Sequence, residues 1–218
     1  MTNKIMNKQA IALIIGVLAV VVVAAMYLRG GDNLQPPQDE ATARQAALAS
    51  EHSPTLGDAN ARVHIVEFLD PACETCALFF PMVKQWMAEV PGEIRLSIRH
   101  VAFHAGADYA VRILEASRKQ GKYWETLEAL LASQRQWTRN HTVLTDEIGP
   151  AIASVGLDMD QLMNDMNSID VMLRMEQDKK DAILLKVSKT PDYFVNGRPL
   201  PSFGQQQLAE LVRDELQK

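Results

Sequence analysis

Cysteine is nearly missing from this chain, with two residues in 218. So few exclude a scaffold stapled by several disulfides, and they exclude a zinc site built from four cysteines. A basic excess is missing too, since 22 Lys and Arg stand against 27 Asp and Glu. That balance leaves no positive track for a nucleic-acid backbone, so nucleic acid is not an expected partner. Glycine and proline are sparse, at 11 and 10 residues, which excludes collagen-like and low-complexity classes. No internal repeat is present. What remains, 47% hydrophobic and 22% charged residues, describes a folded chain large enough to bury a core.

One long hydrophobic run is present. Residues 10–28, AIALIIGVLAVVVVAAMYL, carry no charge. At about 1.5 Å per residue they nearly cross a hydrocarbon layer of about 30 Å. Lys4, Lys8 and the amino group precede the run, whereas Arg29 is followed by Gly30, Gly31 and Asp32. The positive side stays in the cytoplasm, so the bulk of the chain is expected to be exported. A cleaved signal peptide is the rival reading, with Val23 and Ala25 as small residues at a cleavage site; the run is long for an h-region of roughly 7–15 residues. Residues 30–54 mix Gly, Pro and polar side chains and read as a linker, with a short helix expected over 40–50. The expected organisation is a membrane anchor at 1–29, a linker at 30–54 and one exported domain at 55–218.

The exported domain reads as α/β. Residues 62–69, RVHIVEFL, are rich in β-branched and aromatic residues and stop at Asp70-Pro71, which predicts a strand. From Glu74 the spacing of Phe80, Val83, Met87 and Val90 predicts a helix, kinked at Pro81 and closed by Pro91-Gly92. Ile94, Leu96 and Ile98 alternate with Arg95, Ser97 and Arg99, which predicts a second strand with one face in water. Residues 104–186 read as helical throughout, punctuated by Gly121, Gly149-Pro150 and Gly156. Asn196-Gly197 then supplies the positive φ of a two-residue hairpin turn between short strands. Leu208, Leu211, Val212 and Leu216 form one stripe of a terminal helix opened by Gln205. Trp86, Trp124 and Trp137 are expected to be packing residues, and Met163, Met166, Met172 and Met175 to be core fillers.

Cys73 and Cys76 enclose Glu74 and Thr75 at the junction of the first strand and helix. Unpaired N–H groups and the positive end of the helix dipole stabilise a thiolate on Cys73, the nucleophile of disulfide exchange. Cys76, one turn on and more shielded, is placed to attack a mixed disulfide and release the partner. No cofactor is required, because the pair itself carries the two electrons. A structural disulfide is the first rival, but a two-residue loop gains little from closure. Metal binding is the second, with His100 and His104 as further ligands after Cys73 and Cys76. Between Cys76 and His100 lie 23 residues, more than the about 12–15 of a zinc finger.

The run GDANARVHIVEFLDPACETC (residues 57–76), with GKYWETLEALLASQ (121–134) and KTPDYFVNG (189–197), resembles the DsbA-like thiol:disulfide oxidoreductases of the thioredoxin superfamily. The resemblance spans residues 54–218. It implies a thioredoxin-like fold whose βαβ and ββα halves are separated by a helical insertion at about 104–187. It implies a cis bond at Thr190-Pro191, in a loop lying against the cysteines that offers backbone groups to an incoming substrate strand. Glu67, six residues before Cys73 in an apolar strand, looks like the family's buried acid, with a raised pKa and a role as proton acceptor for Cys76. Asp70 and Glu74 read as cap and surface residues.

Strongly oxidising members carry Pro-His between the cysteines where this chain has Glu74-Thr75. A carboxylate beside Cys73 is expected to disfavour its thiolate and weaken the pair as an oxidant. Oxidase, reductase and isomerase roles therefore stay open. The expected function is that of an anchored thiol:disulfide oxidoreductase at the bacterial inner membrane, single-pass, with its catalytic domain in the periplasm. Its expected partners are the cysteines of exported proteins and a membrane redox partner that resets the pair. The alternative is a periplasmic copper- or zinc-handling protein using Cys73, Cys76 and the nearby His100 or His104.

Overall fold

The computed structural model describes residues 40–48 and 50–218. The apolar run at 10–28 and the linker up to residue 39 lie outside them, and among the described residues no helix is long and apolar enough to cross a membrane. Two compact units divide the chain, Met1–Ala43 and Arg44–Lys218. The architecture below is that of the second.

A five-stranded mixed sheet forms its centre, built from β1 (Thr55–Leu56), β2 (Val63–Leu69), β3 (Ile94–His100), β6 (Asp192–Val195) and β7 (Arg198–Pro199), in the order β1-β3-β2-β6-β7. β2 and β3 pair in parallel from Val63↔Ile94 to Leu69↔His100. A parallel pair needs a crossover, supplied by helix α2 (Glu74–Glu89). β6 adds antiparallel to the other side of β2, with Glu67 opposite Tyr193. The β6–β7 turn has Asn196 at φ 48° and Gly197 at φ 78°, as the Asn-Gly dipeptide predicts. Gly57 is required for a second reason: at φ 102° a Cβ there would meet the Ile94 carbonyl at 2.6 Å.

Strand alternation sorts the side chains into two layers. Val63, Ile65 and Leu69 join Ile94, Leu96, Ile98, Tyr193 and Val195 in one core with Phe79, Phe80 and Val83 of α2 and Leu208, Leu211 and Val212 of the last helix, α9 (Gln205–Leu216). That core runs on into the helical block between β3 and β6. The block comprises α3 (Ala107–Ser117), α4 (Tyr123–Ala132), α5 (Gln134–Trp137), α6 (Thr145–Ala151), α7 (Met159–Asp165) and α8 (Ile169–Leu184). Val66, Phe68 and Phe194 face the other way and pack with Ala182, Leu185 and Val187 at the end of α8, and with Ala47 and Leu48 of α1 (Glu40–Leu48).

Several expectations are corrected. The second face of β3 is not wet: Arg99 is fully buried and Ser97 nearly so, because α8 and the end of α1 cover it. Arg99 bonds Asp178 at 2.7 Å, Asp181 at 2.5 Å and the carbonyl of Ala47. The helical block is not purely helical, since β4 (Thr138–Arg139) and β5 (Thr142–Val143) form a small hairpin. Its turn has positive φ at Asn140 and His141, a turn carried without glycine. Gly149-Pro150 lies inside α6 rather than breaking it, and the expected helix over 40–50 stops at Leu48. Of the four methionines expected in the core only Met166 is fully buried, while Met163 and Met172 are exposed. Trp137 is buried and donates to the Leu130 carbonyl at 2.9 Å.

Candidate active site

The strand β2 ends at Leu69, and a four-residue turn carries the chain into α2. Asp70 organises this turn. Its carbonyl accepts from Cys73 N at 3.0 Å and its Oδ1 from Ala72 N at 2.8 Å. Its Oδ2 accepts from the amides of Phe103 and His104 and pairs with His104 Nδ1, at 2.7 to 2.9 Å. Asp70 is thus a buried clamp rather than the expected surface cap, and it ties the cysteine turn to the loop after β3. Cys73 follows as the N-cap residue of α2, in extended conformation at φ −79° and ψ 117°.

Both cysteines are free thiols. Cys73 retains 6% exposure and Cys76 has none. The Thr190-Pro191 bond is cis, and the Thr190 carbonyl accepts from Cys73 Sγ at 3.2 Å. The loop expected to lie against the cysteines does so. A residue that nothing nearby in the sequence singles out completes the shell: Gln134, buried at the start of α5, donates to the carbonyls of Pro71 and Cys73 at 2.8 and 3.0 Å.

The two thiols differ sharply in acidity. Cys73 is pulled down from 9.0 to about 5, chiefly by the Cys76 thiol donating to it, against the opposing effect of burial, with help from the Thr190 side chain and the amides of Cys76 and Thr75. Burial and the neighbouring Cys73 and Glu67 push Cys76 well above the ordinary thiol value. Glu74, expected to hold Cys73 up, does not: its side chain is exposed, and water screens a surface carboxylate. Thr75 acts through its amide.

Glu67 lies on the same face of the sheet as the core beneath α2. It is fully buried, and neither carboxylate oxygen has a hydrogen-bond partner. Burial raises its pKa from 4.5 to about 8, a rise partly offset by the nearby Tyr193 hydroxyl and reinforced by Cys73. An acid that is neutral near pH 7 beside a thiol that resists ionisation can exchange a proton with it.

The structure therefore brings Cys73, Cys76, Glu67, Thr190 and Pro191 into one locus, with Glu74 and Thr75 on its outer side. It does not bring His100 or His104 there as metal ligands. His100 is buried with Nε2 at 2.8 Å from the Tyr123 hydroxyl, and His104 is held by Asp70. Among the described residues no group of three or more His, Cys, Asp or Glu side chains is disposed to hold a metal ion.

Residues 49–214 match the family model described as thioredoxin. The chain belongs to the thioredoxin family. Within that family, a thioredoxin-like oxidoreductase from Silicibacter pomeroyi DSS-3 superposes with a TM-score of 0.68 at 28% identity, over 80% of this chain and 98% of that one. BdbD from Bacillus subtilis, in its oxidised form, gives 0.67 at 22% identity over 77% and 94%. The α-DsbA1 protein of Wolbachia pipientis gives 0.68 at 21% identity over 81% and 96%. These structures share the thioredoxin-like α/β fold that the resemblance to DsbA-like oxidoreductases implied. The Na(+)/H(+) antiporter NhaA of Herminiimonas arsenicoxydans is 31% identical over 144 residues, covering 66% of this chain and 22% of the antiporter. The chain spans about a fifth to a third of the curated relatives it matches.

Proposed function

We propose that the chain is a thiol:disulfide oxidoreductase that donates disulfides to the cysteines of exported proteins. The observation carrying this reading is the asymmetry of the pair, an acidic Cys73 beside a Cys76 that resists ionisation above a buried neutral acid. In the oxidised protein a substrate thiolate attacks Cys73 Sγ. The Cys73–Cys76 bond breaks, a mixed disulfide forms, and Cys76 leaves with the electron pair. Glu67, protonated at neutral pH, gives that sulfur its proton. A second substrate thiolate then attacks the substrate sulfur of the mixed disulfide, and Cys73 departs as a stable thiolate. The substrate loses two electrons and the pair gains them. A low pKa makes Cys73 a good leaving group and stabilises the reduced pair, which is what makes a disulfide oxidising.

The Thr190 carbonyl beside Cys73 supports a substrate strand docking along the cis-proline loop, with Thr190 and Pro191 as its contacts. Leu78 and Phe203 add an exposed apolar rim, at 63% and 41%, suited to segments of unfolded protein. Turnover needs an oxidant for the reduced pair. We assign that role to a membrane redox partner, with the catalytic domain held in the periplasm by an inner-membrane anchor at residues 10–28. The antiport activity named for the longer relatives is not assigned to this chain.

Trapping tests the reading. With Cys76→Ser, the Cys73 thiolate should attack a disulfide-bonded substrate peptide and hold one half as a mixed disulfide while the other half leaves as a thiol, whereas Cys73→Ser should trap nothing and oxidise nothing. Equal trapping by both variants would remove the assigned roles.

A further inference from the structure

Gln134 is the point at which the helical block grips the active-site turn. It retains only 4% exposure, and its Nε2 donates to the carbonyls on both sides of Ala72, those of Pro71 at 2.8 Å and Cys73 at 3.0 Å. A primary amide has two N–H donors, and here both are spent on the backbone that presents the nucleophile. The Cys73 carbonyl also receives the first helical bond of α2, from Ala77 N at 3.2 Å. Cys73 is therefore held from the helix on one side and from α5 on the other.

We propose that Gln134 is a positioning residue for Cys73, keeping the Pro71 and Cys73 carbonyls turned toward the helical block so that the Thr75 and Cys76 amides face Sγ. The inference rests on the reading of Cys73 as the attacking thiol. Without the amide, the Pro71 carbonyl loses its partner and the Cys73 carbonyl keeps only Ala77 N, so the turn rotates to regain the missing bond. Rotation at Cys73 carries Sγ off the amides, and a carbonyl oxygen turning toward a thiolate opposes its charge. The thiolate should then form at higher pH. Gln134 never touches substrate, so its effect is on the readiness of the sulfur.

The test uses the full chain with Gln134→Met, which keeps length and apolar contact but removes both donors. Thiolate absorbance is followed against pH, together with the rate of Cys73 alkylation. The titration midpoint is expected to rise by about one unit, which is about tenfold less thiolate at acidic pH. Thr126→Val controls for loosening of the block, since Thr126 is a buried donor on α4 that bonds only the Lys122 carbonyl, at 2.6 Å. It should lower the melting temperature and leave the midpoint alone. If Gln134→Met fails to fold, Gln134→Asn, whose shorter stem cannot span both carbonyls, is measured by the same criterion. An unmoved midpoint in the Gln134 variant overturns the proposal. A wild-type midpoint near the ordinary thiol value overturns instead the reading of Cys73 on which it rests.

Discussion

The two faces of the central sheet bury ionisable groups in opposite ways. Behind β3, Arg99 is fully enclosed, but Asp178, Asp181 and the Ala47 carbonyl answer its charge. Asp178 is itself held by His52 at 2.6 Å and by the amide of His100 at 2.7 Å. In front, one strand away, Glu67 is equally enclosed and has no hydrogen-bond partner. In the paired cluster Asp178 is drawn below the ordinary carboxylate range by His52, Arg99 and the His100 amide despite its burial. The orphan acid is driven toward its neutral form. A buried charge that is fully answered holds elements together, while one left unanswered beneath a reactive sulfur is a proton store.

Removing the answer to the paired charges should produce the largest effect. Arg99→Met takes the guanidinium from two buried carboxylates, and chemical denaturation should show a loss of about 3–5 kcal/mol. The molecules that remain folded should keep the Cys73 midpoint of the wild type. An equal loss of redox activity in the folded fraction would mean that the two faces are not separate.

Glu67→Gln should act the other way. Because the folded pKa is raised from 4.5 to about 8, the neutral form is favoured. The penalty is absent below about pH 4.5, grows as pH rises, and is complete above about pH 8. At pH 9 the variant should therefore gain roughly 4–5 kcal/mol relative to its comparison at pH 4. The same variant should slow formation of the mixed disulfide by about a hundredfold near neutral pH, the low end of general acid–base effects. A flat difference in stability across that range would place Glu67 in a wetter setting.

Cys73 has the opposite sign. Its pKa is lowered, from 9.0 to about 5, so its contribution to the stability of the reduced protein is complete above about pH 9 and fades as pH falls through about 5. The oxidised protein lacks this contribution. The stability of reduced over oxidised protein should thus increase from pH 5 to pH 9, as paired melting curves would show. The smallest effect is expected from Tyr193→Phe. Its hydroxyl lowers the pKa of Glu67 only in part, so the Glu67 midpoint should climb by less than about one unit.

Local pattern carried much of this architecture. The strand before the cysteines, the alternating β3, the Asn196-Gly197 turn and the stripe of α9 were all legible, because each depends on periodicity or turn chemistry within a few residues. Glu67 stood out as a carboxyl inside an apolar strand. What escaped were pairings set by distant segments. Arg95, Ser97 and Arg99 looked like a solvated face because nothing near them announces α8. Gln134 and Asp70 looked ordinary because their partners are backbone groups 63 and 33 residues away. Glu74 misled for a related reason: adjacency in sequence suggested a charge acting on Cys73, but the helix turns that side chain out to water.

The most direct measurement is the reduction potential of the Cys73–Cys76 pair, obtained by equilibrating the full chain with graded glutathione buffers and reading thiol alkylation by mass. An acidic Cys73 over a buried neutral acid predicts a potential toward the roughly −120 mV of strongly oxidising pairs. A value near about −270 mV, typical of a reducing thioredoxin, would contradict the account.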